Sequence, residues 1–301
     1  MKQFWLHILK IMLPIIVFFL VLEIAIRKIP NDYQLKKTYL DKNASKINTL
    51  ILGSSHTFYG VNPKYFSKHT FNTAYVSQTL DLDEVLLGKY LRKMTNLKAV
   101  IIPISYSSLF ETLETDVEKW RLKNYILYYG FENKYHFTNN FETLNHDILL
   151  NLKKAVKHYV LNKSFITSSN LGWGTNFNSK ERKKFEGQFT AKKHTANNFK
   201  LYDGNLKNLQ EIIKMCQKKN IKILFITTPT HDSYYNNLNQ IQLSKTIKTI
   251  NELIQKNQNC IYLNLLKSRM FINTDFYDAD HLNEIGAKKL SLFIDKKINP
   301  Q

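Results

Sequence analysis

Leu50-Ile-Leu-Gly-Ser-Ser-His56 runs a short apolar segment into a glycine and two serines, and its reading decides the fold. The apolar residues read as a short buried strand, and Gly53, lacking Cβ, permits a tight turn that leaves the next side chains exposed at the strand's carboxyl end. Ser55 stands there. Near the other end of the chain, Phe276-Tyr-Asp-Ala-Asp-His281 places Asp278 and His281 three residues apart. The spacing predicts that they lie at the entrance to an amphipathic helix over 282–294, one turn bringing carboxylate beside imidazole. One imidazole nitrogen is then held by Asp278 while the other faces Ser55, which supplies the orienter, base and nucleophile of a serine acyl-transfer site. Each segment also has a plainer reading on its own: Gly-Ser-Ser as a turn and helix cap, and Asp278 or Asp280 as a cap with His281 in the first helical turn. A base must be neutral to accept the Ser55 proton, so activity is expected to fall below a pH of about 6 to 7.

Working outward, four more short apolar runs read as strands, at 71–75, 99–104, 221–227 and 260–263. They alternate with helical patterns at 83–94, 206–219, 238–256 and 282–294. Short apolar strands separated by amphipathic helices predict an α/β three-layer sandwich around a five-stranded parallel sheet of flavodoxin-like type. Ligands bind beyond the carboxyl ends of such strands, where Ser55, Ser77 and Ser105 all fall. Thr228-Pro-Thr-His-Asp232 reaches the same rim after the fourth strand, making His231 a second candidate base or a substrate contact. His56 adjoins the nucleophile, but its side chain should leave the backbone in another direction. Gly53 belongs to no phosphate-binding or dinucleotide fingerprint.

The order of an early strand–Gly-x-Ser and a late Asp-x-x-His resembles the SGNH (GDSL-like) hydrolase superfamily, in which these are the first and last sequence blocks. The resemblance assigns the nucleophile to Ser55 rather than Ser54, the base to His281 and the orienter to Asp278. Phe71-Asn-Thr-Ala-Tyr-Val-Ser-Gln78 looks like the second block, with Ser77 where the family has a glycine whose N–H serves the oxyanion hole beside that of the nucleophile. Ser77 can donate equally if the backbone there needs no positive φ. The third block, Gly-x-Asn-Asp, has no counterpart in Ala99-Val-Ile-Ile-Pro-Ile-Ser-Tyr-Ser-Ser108, where Ser105 or Tyr106 occupies its neighbourhood. Losing one oxyanion donor can cost about a hundredfold in turnover. The Gly-Ser-Ser-His form behind an apolar N-terminus resembles the membrane-tethered SGNH-like proteins of cell-envelope polymer acylation. That likeness implies an esterase or O-acyltransferase acting on a cell-envelope glycan, with a membrane-bound O-acyltransferase as a partner. A non-catalytic scaffold of the same shape is the competing class.

The apolar stretch from Phe4 to Ile26 is broken only by His7, Lys10 and Glu23, and about 20 residues suffice to span a bilayer. A cleaved signal peptide is the rival reading, but no small-x-small site follows. Residues 1–28 are therefore expected to be a membrane anchor and 29–48 a polar connector. The SGNH-like domain is expected over 49–111 and 199–301, with 112–198 inserted as a mainly helical cap or polymer-binding surface. Trp173, between two glycines, could stack on a sugar or pack the insertion's own core. Basic residues flank both ends of the anchor, so its orientation, N-terminus inside and main domain exported, rests on the resemblance.

Forty-three Lys and Arg against 24 Asp and Glu leave a net charge of +19. The basic residues are spread along the chain without a nucleic-acid-binding motif, which points to a solvated surface or to attraction for anionic lipid headgroups or acidic glycans. Nucleic acid is not the expected partner. Cys216 and Cys260 read as separate buried thiols, and no His/Cys cluster has zinc-ligand spacing, so neither metal nor cofactor is expected.

Overall fold

The computed structural model describes residues 1–134, 136–145 and 148–299. In chain order the helices are α1 (Lys2–Lys28), α2 (Asp32–Asn43), α3 (Ser55–Gly60), α4 (Leu80–Tyr90), α5 (Leu122–Tyr129), α6 (Ile148–Tyr159), α7 (Gly187–His194), α8 (Tyr202–Gln217), α9 (Asp232–Tyr235), α10 (Gln240–Lys256) and α11 (Glu284–Ile298). The strands are β1 (Thr49–Ile51), β2 (Thr70–Asn72), β3 (Ala99–Pro103), β4 (Lys222–Thr227) and β5 (Cys260–Asn264). Two compact units are present, Met1–Lys37 with Val117–Ile166, and Thr38–Asp116 with Thr167–Gln301.

The larger unit is the expected α/β sandwich. Its five strands are all parallel in the order β2-β1-β3-β4-β5, with Thr49 opposite both Thr70 and Ala99, Ala99 opposite Lys222, and Ile223 opposite Cys260. Alternation along each strand makes two faces. Ile51, Ile101, Leu224 and Ile226 form one core with Leu290 and Ile294 of α11, and α3 packs beside α11. Leu50, Val100, Ile223 and Phe225, pointing the other way, are also buried; α8 packs on β4 and pairs with α4. A sheet covered on both faces explains why the strands read as apolar runs rather than as alternating patterns. The order reverses at β1, so the cleft above β1 and β3 is the expected place for a ligand. Cys216 and Cys260 are free and buried, and burial pushes both thiols up to about 12.

The smaller unit holds α1, α5 and α6. Gln3–Lys28 is the one helix among the described residues long and apolar enough to cross a membrane. Beyond it, Lys123 pairs with Glu142 at 2.5 Å, and the Tyr128 hydroxyl donates to the same carboxylate. A buried ion pair of this kind persists only with such extra hydrogen bonds. The expected insertion is thus divided: Val117–Ile166 folds with the N-terminal stretch, while 167–198 belongs to the larger unit.

Candidate active site

Ser55 is the first residue of α3, directly after the turn that closes β1. Gly53 makes that turn at φ +105°, and a Cβ there would lie 2.0 Å from Pro103 Cγ, so only glycine fits. The turn is pinned from below. Gly53 N–H donates to Asp83 Oδ1 at 2.9 Å, and Gln78 Nε2 donates to the same oxygen at 2.5 Å. One buried carboxylate therefore ties the nucleophile turn to the loop after β2. Burial pushes Asp83 up to about 7, against the lowering effect of these two hydrogen bonds.

Asp278 and His281 do not open a helix. Asn283 caps α11, accepting from Ile285 N and Gly286 N, and the helix begins at Glu284. The Asp-x-x-His segment is instead a closed turn. Asp278 Oδ1 accepts from the backbone N–H of Asp280 and of His281, and Tyr277 N–H donates to His281 O. The self-bonding of an aspartate side chain with the backbone two and three residues on outcompetes helix here. From this turn His281 Nδ1 meets Asp278 Oδ1 at 2.9 Å and Nε2 meets Ser55 Oγ at 2.8 Å. The three expected catalytic residues are brought together in the expected order.

Asp280 adds a second carboxylate. Its Oδ1 lies 3.2 Å from His281 Nδ1, and its Oδ2 lies 3.3 Å from His56 Nε2, close enough for ionic attraction but not aligned as a hydrogen bond. The His56 and His281 rings stack at 5.0 Å, and His56 Nδ1 lies 3.2 Å from Ser54 Oγ. Burial opposes charge on His281, yet the Asp280 and Asp278 carboxylates outweigh it and hold its pKa well above the ordinary value. Burial likewise opposes charge on Asp280, but His281 and His56 hold it well below the usual carboxylate range. His194, 3.9 Å from Asp280, is pushed down to about 4 by burial and gives its Nδ1 to a hydrogen bond with Tyr234 Oη. His56, Asp280 and His281 offer three ligand atoms within 4.8 Å of one another. The Asp280 carboxylate lies between the two imidazoles and bridges them.

The wall beside His281 is aromatic. Tyr59, Phe177 and Tyr277 stack in series at 3.6 and 3.9 Å, and Tyr59 and Phe177 both meet the His281 ring edge-on. Such a wall keeps water from one side of the His281 imidazole. Trp173 supports it from behind, its Nε1 donating to Tyr59 O at 2.7 Å.

Ser77 sits at φ +57°. This left-handed backbone comes at a steric cost of about 1–2 kcal/mol for a residue with a Cβ. Among the described residues, neither the Ser55 nor the Ser77 N–H donates to another residue. Asn72, the other second-block residue, is structural, donating to Thr57 O and Val61 O and accepting from Ala74 N. Ser105 follows β3, with its hydroxyl 2.8 Å from Ser108 Oγ and its N–H donating to that hydroxyl. His231 caps α9 through Ser233 N, reaches Asn273 with its other nitrogen and stacks on Phe185. Among the described residues, no hydrogen bond joins it to Ser55 or His281.

No family model matches the chain, and no curated protein matches it. Among solved structures it is similar to a provisionally assigned acylhydrolase from Bacteroides fragilis, at 12% identity and a TM-score of 0.42, over 87% of this chain and 94% of that one. It is similar to a GDSL-like lipase from Bacteroides thetaiotaomicron at 10% identity and a TM-score of 0.42, over 89% and 98%. An acetyl xylan esterase matches at 13% identity and a TM-score of 0.39, over 81% and 96%. The fold rests on the chain itself: a five-stranded parallel sheet in the order β2-β1-β3-β4-β5 is the flavodoxin-like arrangement expected from the sequence.

Proposed function

We propose that this protein is a serine-dependent esterase or O-acyltransferase of the SGNH-like class that acts on acyl esters of a cell-envelope glycan. The observation that carries the reading is the unbroken relay from Asp278 to His281 to Ser55, at 2.9 and 2.8 Å. Ser55 Oγ attacks the acyl carbonyl as His281 Nε2 takes its proton. Asp278 and Asp280 stabilise the imidazolium that forms. The oxyanion is received by the N–H groups of Ser55 and Ser77, both without a partner in the fold among the described residues. His281 then returns the proton to the leaving oxygen, and water or a sugar hydroxyl resolves the acyl-enzyme. Ser105 and His231, on the loops after β3 and β4, are the proposed substrate contacts, with Trp173 acting through Tyr59. The glycan and an acyl-donating membrane partner follow from the sequence resemblance, as does export of the main domain behind α1.

Labelling of the purified protein with a fluorophosphonate probe tests the chemistry. Ser55→Ala should abolish labelling, and Ser54→Ala should keep it. The second variant matters because Ser54 Oγ also faces an imidazole, that of His56. Wild-type protein that stays unlabelled would favour the scaffold reading. A C-terminal alkaline phosphatase fusion should be active in a bacterial host if the domain is exported.

A further inference from the structure

We propose that the smaller unit is seated on an anionic phospholipid bilayer, with exposed apolar side chains of α6 and of residues 137–144 inserted at the headgroup–acyl boundary beside the foot of α1. The inference rests on α1 being an anchor and is independent of the chemistry at Ser55.

Position comes first. α1 exposes its apolar side chains from Phe4 to Val21 and begins to bury them at Leu22. At 1.5 Å per residue that exposed length is roughly 27 Å, close to the ~30 Å of a hydrocarbon core. The membrane boundary therefore falls near Leu22. The rest of the unit is pinned at that level with no spacer. Glu142 N, Thr143 N and Thr143 Oγ1 all donate to the Glu23 carboxylate, Arg27 donates to Asn140 O, and Tyr159 Oη donates to Ala25 O.

What is exposed there is apolar. Phe137 is 74% exposed and Val160 68%, and Leu144, Tyr159 and Leu161 are exposed as well. The surface continues along α6, where exposed Leu149 and Val156 lie seven residues apart on one face of the helix, and Val160 follows four residues on, just past its end. Asn151, on the opposite side, is buried and donates to Glu142 O. A stripe of this size turned away from the unit's own packing is unusual for a surface that meets only water.

Charge then selects the occupant. Residues 148–166 carry four lysines and no acidic residue, and Lys153, Lys157 and Lys163 are exposed. Lys153 falls within that stripe, between Leu149 and Val156, and Lys157 lies along one side of it, where their stems can lie along acyl chains while the ammonium groups reach phosphates. Tyr159 suits the same depth. A protein partner has no need of continuity with the lipid-facing side of α1, whereas a bilayer requires it.

The test uses full-length protein in nanodiscs of equal phosphatidylglycerol and phosphatidylcholine. An environment-sensitive fluorophore is placed at Val160→Cys, with Leu161→Cys as a second probe, Val17→Cys as an anchor control and Ile241→Cys, exposed on α10, as a water control. The native thiols are buried. Lipids spin-labelled near the headgroup should quench the Val160 and Leu161 probes several-fold more than iodide does, and Ile241 should show the reverse. In discs of phosphatidylcholine alone, lipid quenching at Val160 should drop several-fold. Iodide access at Val160 equal to that at Ile241 would overturn the seating. So would protection from both quenchers, which would indicate a protein occupant such as a second copy. Equal quenching in the two disc types would overturn the anionic requirement. Failure of deep spin-labelled lipids to quench Val17 would instead show that α1 is not an anchor.

Discussion

Replacing Asp280 with asparagine separates two readings of the site, one in which Asp278 alone serves His281 and one in which two carboxylates share the task. His281 Nδ1 lies 2.9 Å from Asp278 Oδ1 and 3.2 Å from Asp280 Oδ1. With an effective dielectric of about 20, those separations correspond to about 6 and about 5 kcal/mol of attraction for an imidazolium, before the opposing cost of burial. The two contributions are comparable, so neither single loss should remove the whole effect. Complete loss of the orienting charge costs a serine triad about 10⁴-fold in turnover. Asp280→Asn and Asp278→Asn should each lower kcat by roughly 10- to 100-fold, and the double variant should approach 10⁴, a non-additive pattern expected of groups acting on one atom. The pH profile gives the sharper signature. His281 is a base only after losing its proton, and its raised pKa means that kcat/KM climbs with pH through a value above that of ordinary histidine. This moves the acid limb upward from the pH of about 6 to 7 suggested by the sequence. Asp280 is the largest of the raising influences, so Asp280→Asn should shift the limb to lower pH. Hydrolysis of p-nitrophenyl acetate from about pH 5 to pH 10 measures it. An unmoved limb in Asp280→Asn, together with a double variant no worse than Asp278→Asn, would refute the shared role.

Other variants probe the frame around the triad. Ser77→Gly should keep fluorophosphonate labelling and stabilise the protein by about 0.5–1 kcal/mol in urea denaturation, because φ +57° is unstrained for glycine. Asp83, raised from 3.8 to about 7 in the fold, leaves stability unaffected below about pH 4, where both states are protonated. Its contribution then erodes as pH rises to about 7, because the unfolded chain ionises first. Asp83→Asn, whose amide oxygen can still accept from Gly53 and Gln78, should therefore stabilise the protein at about pH 8 by up to ~4 kcal/mol and by little at about pH 4. His281→Ala should lose nearly all esterase turnover, whereas His231→Ala should stay within about twofold and cost about 1 kcal/mol of stability as a lost helix cap.

The sheet was legible because strands buried on both faces are written as unbroken apolar runs, and each expected strand overlaps an observed one. The meeting of Ser55, His281 and Asp278 was legible because two short segments carry all three residues. The remainder depends on groups meeting across the fold. Asp280 is one residue from His281, yet its value lies in bridging to His56, 224 positions earlier in the chain, which no local spacing encodes. The turn at 278–281 was read as helix because a three-residue spacing fits both, and only the side-chain bonds of Asp278 decide between them. Phe177 gave no signal at all: it lies in a polar stretch, and its partners Tyr59 and Tyr277 come from opposite ends of the unit. His56 did carry a signal, since a titratable residue beside a nucleophile is worth following even when it cannot be the base.

Ser55 and His281, the proposed nucleophile and base, are 226 residues apart in the chain. During synthesis Ser55 leaves the ribosome with β1 long before the segment bearing His281 has been made, and closing so long a loop costs roughly 5 kcal/mol of chain entropy that only the finished sheet and α11 can offset. A nascent or truncated chain therefore holds an inert serine, chemically no different from any other hydroxyl. If the chain is exported in extended form, as proposed above, its reactivity would switch on only after the last helix docks on the far side. The esters of the cell interior would never meet an armed enzyme.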